Sequence, residues 1–292
     1  MRDGVTVATV HRFMTDLIRK AGFQAQLHSA PVDAPDHFTH VLPDLFERAA
    51  ETLLEEGELL QYDAIVIDEA QDVLSGAIMD ALGLILIGGF QNGRWLILLD
   101  TGLQSQVYAR MEPTVLARLR QFAGAQLVLS ENFRNPRAVV REMVEVVGGE
   151  TPACRRVLQS TVDYKRIVDD RDAGRKLQAL LVELIRGGAA PGAITILSAR
   201  SRRESLIVRH PPEIGKAICH VEDAAVCSPD AISASTISGF KGLENEIIIL
   251  TDVPALEPLT DWGRAVLYVG MTRARSKLFM LVDEAYLDAR TR

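Results

Sequence analysis

The chain has 292 residues, enough for one large domain or two of ordinary size around a real core. Its 48% hydrophobic and 24% charged residues are typical of a globular protein, and no apolar run approaches the roughly 20 residues of a membrane span. A net charge of −7 gives no global argument for a nucleic-acid partner, so such a partner would need a local basic groove.

Short apolar runs alternate along the chain with stretches of helical spacing. Strands are expected at Val5–Val10, Ala64–Ile67, Trp95–Leu99, Gln126–Leu129, Ile194–Leu197, Ile232–Ile237, Ile247–Leu250 and Leu278–Val282. Several of these runs are continuous and not alternating, the pattern of strands buried on both faces. Helical spacing marks Leu42–Leu60, Pro113–Phe122, Pro136–Val147 and Ala173–Arg186. The alternation predicts an α/β fold with mostly parallel sheets. Two stretches mixing glycine, proline and charge, Val147–Asp172 and Val208–Asp230, read as the least ordered. Cys154, Cys219 and Cys227 form neither a disulfide framework nor a CxxC clip and read as reduced structural thiols. The opening segment has no signal-peptide pattern, so the expected location is the cytoplasm.

In open parallel sheets, ligands gather beyond the carboxyl ends of strands. Asp68-Glu69, Asp100, Glu131-Asn132 and Ser198 all fall directly after expected strands. The most informative segment is Tyr62–Asp72, an apolar strand running into Asp68-Glu69-Ala70-Gln71-Asp72. A hard magnesium ion takes oxygen ligands and keeps much of its water, which suits Asp68. The next acid, Glu69, can orient or deprotonate a water that attacks a phosphate. The plain alternative is an acidic turn ending a strand.

That DEAQD segment resembles the magnesium-binding motif of UvrD/Rep-type superfamily 1 helicases. Further matches follow in the family's order. Asp100-Thr101-Gly102-Leu103-Gln104 resembles a strand-end motif in which the family's glutamine, here Gln104, senses the terminal phosphate beside Asp100; Leu99 stands where the family has glycine. Asn132-Phe133-Arg134 resembles the motif opening the second motor domain, which implies that Arg134 reaches the terminal phosphate. Thr236-Ile237-Ser238-Gly239-Phe240-Lys241-Gly242-Leu243-Glu244 resembles a T-x-H-x-x-KGLE motif, with Ser238 in place of histidine. The resemblance gives Gly242 and Glu244 nucleotide contacts and Thr236 a contact to the nucleic-acid backbone. Tyr268-Val269-Gly270-Met271-Thr272-Arg273-Ala274-Arg275 resembles the motif whose arginine, here Arg273, neutralises charge on the transferred phosphoryl group. Near the start, Thr9-Val10-His11 resembles a segment that places single-stranded DNA.

The resemblance implies two RecA-like domains of the P-loop NTPase type: residues 1–129 as the first motor domain, truncated at its N-terminus, and 130–292 as the second. No G-x-x-x-x-G-K-[ST] occurs; the one Gly-Lys, Gly215-Lys216, lies in an unrelated context. The expected function is that of an ATP-dependent DNA helicase or translocase in truncated or partial form. ATP and Mg²⁺ are its cofactors, single-stranded DNA or RNA its partner, and a second chain is a candidate source of the missing loop. The alternative is a helicase-derived module that binds nucleic acid or protein without hydrolysis. On either reading, the isolated chain is expected to be inactive or nearly so.

Overall fold

The computed structural model describes residues 4–29, 37–59, 61–100, 112–148, 151–155, 160–221, 223, 228 and 230–291. It divides between Leu127 and Val128 into two compact units.

In the amino-terminal unit the Thr9 side chain accepts a hydrogen bond from the Arg12 amide and caps α1 (Val10–Lys20). The expected strand at Val5–Val10 is therefore absent. Met14, Leu17 and Ile18 are buried at helical spacing while Val7 is 90% exposed, so the amphipathic stripe outweighs local β propensity. After α2 (Gln24–Ser29), α3 (Leu42–Glu55) buries Leu42, Leu45, Phe46, Ala49, Ala50 and Leu53 along one face. That face joins α1 and α4 (Gly76–Leu84) in one apolar core. Strand β1 (Ala64–Ile67) lies parallel to β2 (Arg94–Ile97), with Ala64 opposite Arg94 and Ile67 opposite Ile97. Between them run α4 and the short α5 (Gly89–Asn92), and α6 (Pro113–Phe122) adds Val115 and Leu119 to the core. The expected strand at Gln126–Leu129 does not form. Leu127 and Leu129 are 90% and 93% exposed, and the run has no ladder partner among the described residues.

The carboxyl-terminal unit opens with β3 (Glu131–Asn132), paired in parallel with β4 (Ala153–Cys154) beyond helix α7 (Arg137–Val147). The main sheet is built from β5 (Val162–Arg166), β6 (Ile194–Ser198), β7 (Ile218–His220), β8 (Ile232–Thr236), β9 (Asn245–Thr251) and β10 (Ala274–Val282). Their spatial order is β5-β10-β9-β6-β8-β7, and every pairing is parallel. This mixed α/β unit with a six-stranded parallel sheet is consistent with the expected RecA-like fold. Helices α8 (Asp170–Arg186), α9 (Leu206–Arg209), α10 (Asp261–Met271) and α11 (Glu284–Thr291) connect or follow the strands. All of β6 is buried, as its continuous apolar run requires. Strands β5 and β7 fall in the stretches read as least ordered. Both are sheet edges, where polar residues blunt further pairing and mask the strand signal.

Among the described residues no helix is long and apolar enough to cross a membrane. Cys154 is free but Cys219 is disulfide-bonded, contrary to the expectation of reduced thiols throughout.

Candidate functional site

The amino-terminal unit presents its acids where β1 and β2 end. The pairing continues past the strands: the Leu98 amide donates to the Ile67 carbonyl at 2.9 Å and the Ala70 amide to Leu98 at 3.0 Å. Asp68, Glu69 and Asp100 are thereby held on adjacent segments. Glu69 adopts a left-handed backbone, φ 50° and ψ 41°, which costs a non-glycine residue about 1–2 kcal/mol. Its amide donates to Asp68 Oδ1 at 2.9 Å.

Gln71, only 2% exposed, organises this turn. Its Nε2 donates to Glu69 Oε2 at 2.5 Å, and its Oε1 accepts from the Asp100 amide at 3.0 Å. Nothing in the sequence marks Gln71 for this role, because its burial and its two partners arise only on folding. Asp68 is exposed and offers an oxygen donor. Among the described residues no group of three or more His, Cys, Asp or Glu is arranged to hold a metal. The donor set fits a hard ion that keeps most of its waters and takes one or two carboxylates. Gln104 lies outside the described residues. Thr9 serves as the α1 cap, and His11 packs edge-on to Phe38 with ring centroids 4.9 Å apart.

In the carboxyl-terminal unit, Arg134, Gly242, Glu244 and Arg273 come together at the amino ends of β9 and β10, not beyond carboxyl ends. Asn132 Oδ1 accepts from the amides of Arg134 at 3.0 Å and Asn135 at 2.8 Å, which shapes the turn. Asn135, 2% exposed, then donates from Nδ2 to the carbonyls of Thr272 at 2.9 Å and Ala274 at 2.8 Å. Those carbonyls flank Arg273, so this one amide docks the Asn132–Pro136 turn onto the Thr272–Arg275 segment. Arg134 Nε meets Glu244 Oε2 at 2.5 Å, and Arg275 Nε stands 3.5 Å from Glu244 Oε1 and 3.4 Å from Glu246 Oε1. Gly242 has φ 80°, and a Cβ built there would meet nothing within 4 Å. The positive φ, not close packing, is what calls for glycine.

Arg273 is 1% exposed. Its guanidinium donates to the Val269 carbonyl at 2.9 Å, the Leu243 carbonyl at 3.2 Å and Thr272 Oγ1 at 3.0 Å. Its own carbonyl accepts from the Asn245 amide at 3.1 Å. Arg273 therefore locks the C-terminus of α10 to the loop bearing Gly242 and Glu244.

Thr236 stands apart from this cluster, at the carboxyl end of β8. Its Oγ1 accepts from the Gly239 amide at 2.9 Å and closes the turn leaving the strand. Nearby at the end of β6, Ser198 Oγ donates to Asp252 Oδ2 at 2.7 Å.

Residues 231–281 match the family model for the UvrD-like helicase C-terminal domain. The matched span holds Thr236, Gly242, Glu244 and Arg273. No curated protein matches the chain. Among solved structures, the C-terminal domain of a possible DNA helicase from Lactobacillus plantarum WCFS1 is similar at 14% identity and a TM-score of 0.41, over 55% of this chain and 93% of that one. The similarity to a UvrD-like helicase C-terminal domain thus runs from β8 to β10 of the carboxyl-terminal unit, over residues 231–281.

Proposed function

We propose that the chain forms part of an ATP-dependent DNA helicase or translocase of superfamily 1. The observation that carries this reading is the match over residues 231–281, whose Gly242, Glu244 and Arg273 are gathered with Arg134 at the amino ends of two interior strands of a parallel sheet. The acidic strand end of the other unit supports it. Asp68 would hold Mg²⁺, which supplies charge neutralisation on phosphate oxygens when bound. Glu69 would take the proton of the attacking water, with its carboxylate kept in one orientation by Gln71. Gln104, Arg134, Asp100 and Glu244 would contact the nucleotide. Arg273 would serve the transferred phosphate only after exchanging bonds that now hold it to Val269, Leu243 and Thr272. Thr9, His11 and Thr236 are assigned to single-stranded nucleic acid, DNA in preference to RNA, and the location to the cytoplasm.

In a form that carries a phosphate-binding loop, either within one chain or from a partner chain, Glu69→Gln should abolish DNA-stimulated ATP turnover while leaving nucleotide binding measurable. Unchanged turnover would sink the assignment. The second reading, a module that binds without hydrolysis, is favoured by the lack of a G-x-x-x-x-G-K-[ST] sequence among these 292 residues. The purified chain should show little or no ATPase with single-stranded DNA; robust turnover would overturn both statements about the loop.

A further inference from the structure

Arg134 and Arg273 belong to different segments of the carboxyl-terminal unit, yet one buried side chain stands between them. Asn135 follows Arg134 directly, and the two carbonyls it binds, those of Thr272 and Ala274, are the neighbours of Arg273. At 2% exposure the amide is shut off from solvent, so its hydrogen bonds have to be made within the protein.

Chemistry dictates which way that amide points. A carbonyl can only accept, so the Asn135 nitrogen must face Thr272 and Ala274, and both of its hydrogens are committed to them. The oxygen is left for Asn132 Nδ2, which donates to it at 3.1 Å. Asn132 is fixed in the same way. Its own oxygen faces the backbone amides of Arg134 and Asn135, which can only donate. The two asparagines form one chain of bonds, running from the turn that carries Arg134 to the segment that carries Arg273.

That segment is held from two sides. The Arg273 carbonyl accepts from the Asn245 amide of β9 at 3.1 Å, and Asn135 takes the carbonyls before and after it. Strand β5 pairs with β10 from Leu278 to Val282, so at Thr272–Ala274 the Asn135 amide does what a neighbouring strand does further along. The side chains add a second link. Arg134 pairs with Glu244, and Arg273 donates to the carbonyl of the preceding residue, Leu243. The two arginines are therefore tied twice, once through Asn135 and once through the loop before β9. A backbone shift that frees the Arg273 guanidinium for a phosphate must pass through Asn135 to Arg134.

We propose that Asn135 is a positioning residue for nucleotide binding, holding Arg134 in register with Arg273 so that both guanidinium groups address the same terminal phosphate. The proposal deepens the helicase reading and rests on it.

The test is a double-mutant cycle on the purified full chain, with ATP and Mg²⁺ binding measured by calorimetry and folding checked by urea unfolding. Asn135→Ala should weaken ATP binding roughly 5- to 30-fold in the wild-type background. In an Arg134→Ala chain the same change should cost less than about twofold, because the group being positioned is gone. With ADP, which lacks the terminal phosphate, Asn135→Ala should likewise change affinity less than about twofold. Asn135→Ser keeps one hydroxyl donor and should fall between wild type and alanine; if Asn135→Ala fails to fold, the serine cycle decides in its place. Equal losses in both backgrounds, or with ATP and ADP alike, overturn the proposal, since Asn135 would then act only structurally. Unchanged ATP binding in Asn135→Ala, with binding weakened in Arg134→Ala, overturns it too and leaves the nucleotide reading standing. No ATP binding by the wild-type chain sinks both the positioning role and the nucleotide reading of this cluster.

Discussion

Arg134 and Glu244, 110 residues apart in sequence, form an ion pair at 2.5 Å that joins the turn after β3 to the loop before β9. Both side chains remain partly in water, at 40% and 36% exposure, and Arg275 stands ready to share the same carboxylate. A pair so exposed contributes little to folding, on the order of 1 kcal/mol or less. A charge-assisted bond from Arg134 to a nucleotide phosphate would be worth about 1.5–3 kcal/mol, roughly 10- to 150-fold in affinity. Arg134→Ala should therefore leave the urea midpoint nearly unchanged while weakening ATP binding at least tenfold. A large stability loss with intact binding would make Arg134 a structural residue.

Arg273 should behave in the opposite way. Its guanidinium is enclosed and donates to three oxygens of its own unit. Arg273→Ala empties a buried site and removes the guanidinium donor of the Leu243 carbonyl, while the Val269 carbonyl keeps the Thr272 hydroxyl, so it should cost about 3 kcal/mol or more. Lysine should rescue little, since a single ammonium cannot reproduce the planar fork that spans Val269 and Leu243. Urea unfolding of the two variants settles this; wild-type stability in Arg273→Ala would mean that the side chain lives elsewhere in solution.

The strands of the parallel sheet were legible wherever an apolar run was continuous, as in β6 and β9, because burial on both faces leaves an unbroken signal. The edges were not. In β5, Asp163 and Lys165 break the apolar pattern that the buried strands keep, and β7 is three residues long. Val5–Val10 misled for a different reason: its β-branched residues precede a threonine whose hydroxyl caps a helix. At the candidate site, Asp68 and Glu69 are legible as acids ending an expected strand, whereas Arg134, Glu244 and Arg273 are marked only by the resemblance of their segments to helicase motifs. Neither signal gives Gln71 or Asn135 a role, since amides acquire meaning only through the partners that folding brings to them. The enclosure of Arg273 was likewise invisible, because spacing shows where a guanidinium starts and not which carbonyls it meets.

The last helix is anchored by a buried polar cluster whose behaviour in alkali follows from its surroundings. Glu142, 7% exposed on α7, accepts from Tyr164 of β5 and from Arg290 of α11, whose Nε lies 2.8 Å away. Burial first, and then the hydrogen bond to Glu142, push the Tyr164 phenol well above its ordinary range; burial and the charge of Glu142 do the same for Tyr286. A folded-state value raised above the unfolded one stabilises the fold below the unfolded value, about 10 for tyrosine, and that contribution is lost as the pH climbs beyond it. The melting temperature should thus hold up to about pH 10 and then fall, and Tyr286→Phe should flatten the decline. Arg290→Ala, which strands a buried carboxylate, should cost about 3 kcal/mol at neutral pH. An alkaline profile identical in wild type and Tyr286→Phe would show that this phenol is not held neutral by the fold.

Two glycines separate backbone strain from steric conflict. At Gly242 the chain turns with φ 80°, yet a Cβ would meet nothing within 4 Å, so Gly242→Ala incurs only the left-handed conformation, about 1–2 kcal/mol. Gly93 has an ordinary φ, but a Cβ there would lie 2.4 Å from the Gly89 carbonyl oxygen and 2.6 Å from that of Ile87. Neither oxygen belongs to a flexible side chain, so the turn from α5 into β2 must itself move. Gly93→Ala should therefore be the more damaging of the two in urea unfolding, with the loss confined to the amino-terminal unit. The milder Gly242→Ala should act through position: Glu244, two residues on, shifts relative to Arg134, and ATP binding should fall by more than the stability change alone would give. If Gly242→Ala proved the less stable variant, or bound ATP unaltered, the turn before β9 would not be setting where that carboxylate stands.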